Sequence, residues 1–420
     1  MGWNSWDSYG LTIDEAEFKA NADWMAKRLK QFGWQYAVVD EGWYLQNPES
    51  SGKPAWQFTL DNQGRFMPAP NRFPSAANGA GFKPLADYAH SLSLKFGIHL
   101  IRGIPREDVA KNLPILDSAY HAAEAADPSD TCSWNPDTYG VRGNPAGQAY
   151  YNSLAKLYAS WGLDFIKVDC ISSRPYSATE IHMISAALKK TGRPIVLSLS
   201  PGPTSLAVAD DVRQNAQMWR ISDDFWDYWS LSADQGWIQT LYGQFATAVG
   251  WAPYAGPGHW PDADMLPIGY LGPRPGLGSA RPTRFSHDEQ RTLLTFWSII
   301  RSPLIMGGDL PHNDDWTTSL LTNPEVIAVN QHSIANRPLI ITNNTVVWSA
   351  EPEDGKGHYL AIFNRGEVAQ TIALEWNELG LKLGERYKLH DLWEHKDLGF
   401  APSLNLTLQP HACVVYRVRK

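Results

Sequence analysis

YAVVDEGWY, residues 36–44, decides how this chain is read. A continuous apolar run of this kind suits a parallel strand covered on both faces. It runs straight into Asp40 and Glu41, and two buried carboxylates are costly unless something holds them. Acids at the C-terminal end of a buried strand stand where a barrel places its chemistry.

Outward from that stretch, strand-like and helix-like segments alternate. GWNSW (2–6) and the amphipathic run 13–33 come before it. After it come a helix pattern at 81–93, a strand at 94–101, a helix at 146–162, a strand at 163–170, a helix at 178–192 and a strand at 194–200. Strand candidates at 215–224, 260–266 and 302–309 complete the series, the last reached through a helix at 287–301. Eight strands with helices between them predict an α/β fold, a (β/α)8 TIM barrel rather than a doubly wound sheet. Two long inserts, 44–80 and 102–145, each follow a strand, at the end where a barrel builds its mouth. Near residue 330 the pattern changes to short alternating runs broken by NN, EDGKG and NRG turns. That texture predicts a C-terminal antiparallel β-sandwich. The expected domains are a catalytic barrel over 1–330 and a sandwich over 331–420.

Bulk composition narrows the function. The chain has 420 residues, 43% hydrophobic and 19% charged, as an ordinary globular protein does. A net charge of −8 argues against a nucleic-acid partner. No apolar run approaches the roughly 20 residues of a membrane span. Nineteen Trp is a large number, fitting platforms under sugar rings or a Trp-filled barrel core. Cys132, Cys170 and Cys413 make no CxxC metal site. Cys132 with Cys170 is the better candidate pair, and free buried thiols are an equal alternative. The chain opens at MGWNSWDSYG with no leader, which leaves the compartment open, secreted, periplasmic or cytoplasmic. Oligomeric state is not readable.

The strand ends are acidic several times over: Asp40 and Glu41, Asp169 in KVDC, Asp223 and Asp224 in WRISDD, Asp262 and Asp264 in WPDADM. One Asp after a strand is commonly a helix cap. Seven acids on one rim argue for chemistry, and Lys167 and Arg220 are the cations that keep several ionised together. Two well-placed carboxyls suffice for glycoside hydrolysis. A metal centre is not expected, because His99 and His259 lack ligand-like spacing. Neither GxxxxGK[ST] nor GxSxG occurs, so no phosphate cradle or serine-hydrolase elbow is expected, and no cofactor.

MGWNSWDSYG, the acid pair after the second strand, FIKVDC, WRISDD, HWPDADML, SPLIMGGDL and NPEVIAVNQ follow one another in order across residues 1–330. Together they resemble glycoside hydrolase family 27, the α-galactosidases, α-N-acetylgalactosaminidases and β-L-arabinopyranosidases. The resemblance implies a retaining double displacement on terminal galacto-configured sugars of an oligosaccharide or glycoside. It implies Asp169 as nucleophile and Asp224, four residues after Arg220, as acid/base. Lys167 and Arg220 would hold sugar hydroxyls, with His99 lining the same subsite, and Trp6 would pack on the ring. Asp40 and Glu41 would grip O4 and the C6 side. Asp264 would back Arg220, with Met265 in the pocket wall. Two departures bear on the sugar: Glu41 stands where galactosidases of the family usually have Asp, and Ser200 lies near their O2-binding Glu. Small residues at the latter place suit an N-acetylgalactosaminidase, and a silent carbohydrate-binding barrel is the alternative of another class. Retention of both Asp169 and Asp224 argues against the silent binder.

Overall fold

The computed structural model describes residues 1–49, 56–231, 236–272 and 279–420; the stretch 50–55 of the first insert lies outside them. Eight strands make the central sheet: β1 (Gly2–Asn4), β2 (Tyr36–Val39), β3 (Lys95–Ile101), β4 (Phe165–Asp169), β5 (Val196–Leu199), β6 (Met218–Arg220), β7 (Trp260–Asp262) and β8 (Ile305–Met306). Their order is β7-β6-β5-β4-β3-β2-β1-β8, and β1 pairs in parallel with both β2 and β8. Sequential strands side by side, with the last beside the first, make a (β/α)8 barrel.

The connecting helices start where their residues say they should. α1 (Glu15–Arg28) opens with a capping box: Asp14 accepts the Glu17 N–H, and Glu17 returns to the Asp14 N–H. α2 (Lys83–Ser91) precedes β3. α3 (Pro145–Trp161) has Asn144 as its cap, Pro at its first position and a left-handed Gly162 after its end. α4 (Ala178–Lys190) leads to β5. α5 (Ala209–Asn215) and α6 (Leu241–Trp251) were not anticipated, the latter because LYGQFATAVGW is apolar nearly all round. α7 (His287–Ile299) starts on a Ser286–Glu289 capping box.

The second insert is not a bare loop. Ile104–Pro105, Ala126–Thr131 and Thr138–Val141 form a three-stranded antiparallel sheet. A Cys132–Cys170 disulfide joins this insert to the residue after Asp169.

Two compact units divide the chain, and they do not follow one cut. The first comprises Met1–Arg220, Tyr270–Arg281 and Ile305–His312. The second comprises Ile221–Gly269, Pro282–Leu304 and Asn313–Lys420. α7 explains the interleaving, because Phe296 of this helix packs edge-on against Phe363 and Trp348 of the C-terminal strands. Those strands are β9 (Ser333–Ile341), β10 (Thr345–Pro352), β11 (His358–Asn364), β12 (Gln370–Leu374), β13 (Tyr387–Asp391), β14 (Lys396–Ala401), β15 (Leu404–Leu408) and β16 (Cys413–Arg419). Six form an antiparallel sheet ordered β9-β10-β11-β16-β13-β14, and β12 pairs with β15. Val347, Leu360, Ile362, Ile372, Trp376, Leu404 and Tyr416 fill the space between as a sandwich core. Each such side chain stabilises the fold by about 1.5–3 kcal/mol on burial.

Trp residues serve the core more than any sugar platform. Trp3, Trp34, Trp43, Trp219, Trp297, Trp348 and Trp376 are among the largest wholly buried side chains.

Candidate active site

Strand register puts six of the predicted residues on one face. In a parallel sheet, aligned residues and those two steps further on share a face. Asn4 aligns with Val38, Val38 with Gly97, His99 with Lys167, Ile101 with Asp169, Lys167 with Ser198, and Ser198 with Met218. Adding two residues to Val38, Ser198 and Met218 gives Asp40, Ser200 and Arg220. Asn4, Asp40, His99, Lys167, Asp169, Ser200 and Arg220 therefore belong to one face at the C-terminal ends of six neighbouring strands.

Asp40 is a hub. Lys167 Nζ approaches its Oδ2 at 3.0 Å and Asn4 Nδ2 donates to the same oxygen at 2.7 Å. The Glu41 N–H donates to its Oδ1 at 2.8 Å, and its own N–H donates to Ser5 Oγ at 2.9 Å. Burial alone would raise its pKa. The Lys167 ammonium, His99 and the two N–H donors outweigh that and hold it at about 2. Trp6, half-buried, follows at once and donates its N–H to Asn4 Oδ1 at 2.8 Å.

Asp169 ends β4 with both oxygens engaged. The Cys170 N–H donates to Oδ1 at 2.7 Å, and His99 Nε2 meets Oδ2 at 3.1 Å. Burial opposes ionisation, but His99, Lys167 and the Cys170 N–H lower its pKa below the usual value. His99 is wholly buried, and burial would favour its neutral form. Asp40 and Asp169 reverse that and raise its pKa. Arg102, just beyond β3, binds the backbone here: its N–H donates to Asp169 O at 3.1 Å and its Nε to Cys170 O at 2.6 Å. Asp130 and Glu180 pair with its guanidinium.

Glu41 differs from both acids. Had β2 continued, it would face away from Asp40. The strand stops at Val39, and Gly42 turns the chain at φ 89°, where an added Cβ would lie 2.9 Å from Leu11 O. Asn135 Nδ2 donates to its Oε1 at 2.7 Å. Burial pushes its pKa up to about 7; His99 opposes the rise, while Asp169, Asp137 and Asp40 add to it.

Asn135 and Asp137 were missed in the sequence. Asn135 Oδ1 accepts the Asp137 N–H at 2.8 Å, and the Tyr44 hydroxyl donates to Asp137 Oδ2 at 3.1 Å. The NPD triplet behind Cys132 was the available signal, and nothing local ties it to Glu41.

Ser200 is buried after β5; its N–H donates to Val168 O at 2.9 Å and its carbonyl accepts the Ile171 N–H at 3.1 Å. Arg220, also buried, ends β6, and its carbonyl accepts the Thr204 N–H at 3.0 Å. In the second unit, Asp264 takes the Phe225 N–H on Oδ2 at 2.9 Å and the Met265 N–H on Oδ1 at 2.8 Å. It thus fixes the backbone directly after the half-buried Asp224. Asp262, counted above with the rim acids, uses Oδ1 to accept the Asp264 N–H at 2.9 Å, the local capping use of an Asp. Among the described residues, no group of three or more His, Cys, Asp or Glu is placed to hold a metal ion. None of their helices is long and apolar enough to cross a membrane.

Comparison with known proteins extends this geometry. Residues 135–332 match the family model described as alpha galactosidase A, and 342–418 match the alpha galactosidase C-terminal beta sandwich domain. Alpha-galactosidase 2 of Arabidopsis thaliana is 30% identical over all of this chain and 89% of its own length. The alpha-galactosidase of Cyamopsis tetragonoloba is 28% identical, over 99% of this chain and 85% of its own. A crystal structure of a β-L-arabinopyranosidase of the same glycoside hydrolase family 27, from Geobacillus stearothermophilus, superposes with a TM-score of 0.94. It is 47% identical over 100% of this chain and 96% of that one, and a variant of it has been solved in complex with arabinose.

Proposed function

The chain belongs to glycoside hydrolase family 27 and is a glycoside hydrolase of the α-galactosidase type; from that premise we propose that it removes terminal β-L-arabinopyranosyl groups, with α-D-galactosyl groups as the weaker or parallel substrate. A β-L-arabinopyranosyl ring is an α-D-galactosyl ring without its C6 hydroxymethyl. The observation that carries the reading is Glu41, one methylene longer than Asp and held by Asn135 at 2.7 Å. Its carboxyl then fills the volume where C6 and O6 of a galactoside would sit. Overlap in a tight pocket costs about 1–3 kcal/mol, roughly ten- to a hundredfold in kcat/KM.

In this reading residues 1–330 are the catalytic domain and 331–420 the sandwich domain. An ionised Asp169 oxygen attacks the anomeric carbon while the bond to the leaving oxygen breaks, and that oxygen takes the proton of Asp224. The result is a glycosyl ester on Asp169. Water then attacks the same carbon, giving a proton to Asp224 as the ester bond breaks, so two inversions return the starting configuration. His99 and the Cys170 N–H keep Asp169 charged without occupying it covalently. Lys167 and Asp40, already paired, present one donor and one acceptor to neighbouring ring hydroxyls, with Arg220 as a further donor. Trp6 offers a ring face to the apolar side of the sugar. Ser200 leaves room beside O2, and Asp264 and Met265 form the wall behind Asp224. No nucleic-acid partner enters the scheme.

Initial rates on nitrophenyl β-L-arabinopyranoside, α-D-galactoside and α-N-acetylgalactosaminide, taken side by side, test it. The arabinopyranoside should match or exceed the galactoside in kcat/KM. Preference for the N-acetylgalactosaminide would move the reading to an N-acetylgalactosaminidase, with Ser200 as its reason.

A further inference from the structure

The Glu41 carboxyl accepts a hydrogen bond from a residue far away in sequence. Asn135 is 1% exposed and lies 94 positions away in sequence. Its amide orientation is set from behind: Oδ1 is occupied by the Asp137 N–H at 2.8 Å, so Nδ2 is the end that faces Glu41. An amide nitrogen can only donate. It therefore claims a lone pair of Glu41 Oε1.

The segment bearing Asn135 is itself fastened at several points. Cys132 is bonded to Cys170, next to Asp169. Asp137 accepts the Tyr44 hydroxyl, and the Tyr44 ring stacks on Phe66 with centroids 4.0 Å apart. Thr138–Val141 is paired on both sides within the insert sheet. Tyr44 follows Glu41 by three residues, so the turn that carries the acid and the segment that grips it are tied to each other at more than one point.

We propose that Asn135 is a positioning residue for sugar selection, holding the Glu41 carboxyl in the C6 volume so that a galactoside is disfavoured. This rests on the reading of Glu41 given above. A flexible Glu has several staggered rotamers, and one that swung aside would admit the hydroxymethyl. Asn135 removes that escape with a neutral donor, which fixes the carboxyl without demanding that it be ionised as a Lys would. Its place in the molecule is behind Glu41, and it acts through it.

The test is a double-mutant cycle read as the galactoside-to-arabinopyranoside ratio of kcat/KM. Asn135→Ala should raise that ratio about three- to tenfold in the otherwise native enzyme. In a Glu41→Asp background the same substitution should leave the ratio unchanged, because the shorter acid is out of reach. Asn135→Leu, close in volume, is the second variant: it keeps the bulk, removes the Nδ2 donor and should raise the ratio as far. If Glu41→Asp alone leaves the ratio flat, the C6 reading of Glu41 has failed. If Glu41→Asp moves it while both Asn135 variants leave it flat, that reading stands and the positioning role is overturned. An equal shift from Asn135→Ala in both backgrounds also overturns it, since Asn135 would then act without Glu41.

Discussion

Asp40 and Glu41 are joined by one peptide bond and both are buried, yet they belong to two different regions of the candidate site. Asp40 sits on the strand side, where Lys167 and Asn4 converge on one oxygen and its pKa falls to about 2. Glu41 turns to the insert side, where Asn135 and Asp137 are its neighbours and its pKa climbs to about 7. Burial pushes both the same way; the cation decides the outcome. The strand side stabilises charge, as the proposed nucleophile Asp169 and its supports require. The insert side is built for shape, with a neutral amide holding a carboxyl that need not be ionised to occupy space.

The largest expected effect falls on the charged side. Asp169→Ala should abolish turnover, at least about 10⁴-fold, because nothing else can form the glycosyl ester. Azide should restore reaction and give a product of inverted anomeric configuration. Near-native activity in this variant would sink the double displacement altogether. Asp224→Asn comes next and divides substrates by leaving group. Glycosides with basic leaving oxygens should lose far more than activated aryl glycosides. Equal losses on the two would transfer the acid role to Asp223 or elsewhere.

Stability against pH tests the contrast directly. Glu41 has a folded pKa raised from 4.5 to about 7. The folded state therefore binds its proton more tightly, so stability is highest below pH 4.5 and falls as pH rises to about 7. The ceiling is about 3 kcal/mol. Asp40, lowered from 3.8 to about 2, has the opposite sign: it stabilises above pH 3.8 and that contribution is lost as pH falls through 2. Glu41→Gln should flatten the decline in melting temperature between pH 5 and 8. Parallel declines in variant and native protein would mean that Glu41 is ionised throughout, and the two regions would then be alike.

The strand side was legible in the sequence and the insert side was not, for a physical reason. Strands with a regular apolar pattern fix register, and register alone carries Asp40, His99, Lys167, Asp169, Ser200 and Arg220 to one face. Motif order supplied the resemblance to the family. α6 was lost because LYGQFATAVGW has no polar face to mark a helical period. Asn135 was lost because its contact with Glu41 spans 94 residues and depends on a turn at Gly42, which no periodicity announces. Nor does an acid's position reveal its partner: Asp262 and Asp169 both end strands, but Asp262 caps the Asp264 N–H while Asp169 meets His99.

A smaller effect than the loss of Asp169 bears most on the sugar. Glu41→Asp shortens the side chain by one methylene and withdraws its carboxyl from Asn135 Nδ2. A hydrogen bond of 2.7 Å cannot stretch by a methylene and survive. Space opens on the C6 side, and the shorter acid can accept a hydrogen bond from O6 instead of excluding it. The galactoside-to-arabinopyranoside ratio of kcat/KM should rise about ten- to a hundredfold, worth roughly 1–3 kcal/mol. Most of that gain should come from the galactoside, because the arabinopyranoside has no C6 to relieve. Separate measurement of the two kcat/KM values decides the matter. A rise produced by loss of arabinopyranoside activity, with the galactoside unmoved, would make Glu41 a contact for the ring and not a barrier to C6. A flat ratio would leave the methylene without a function.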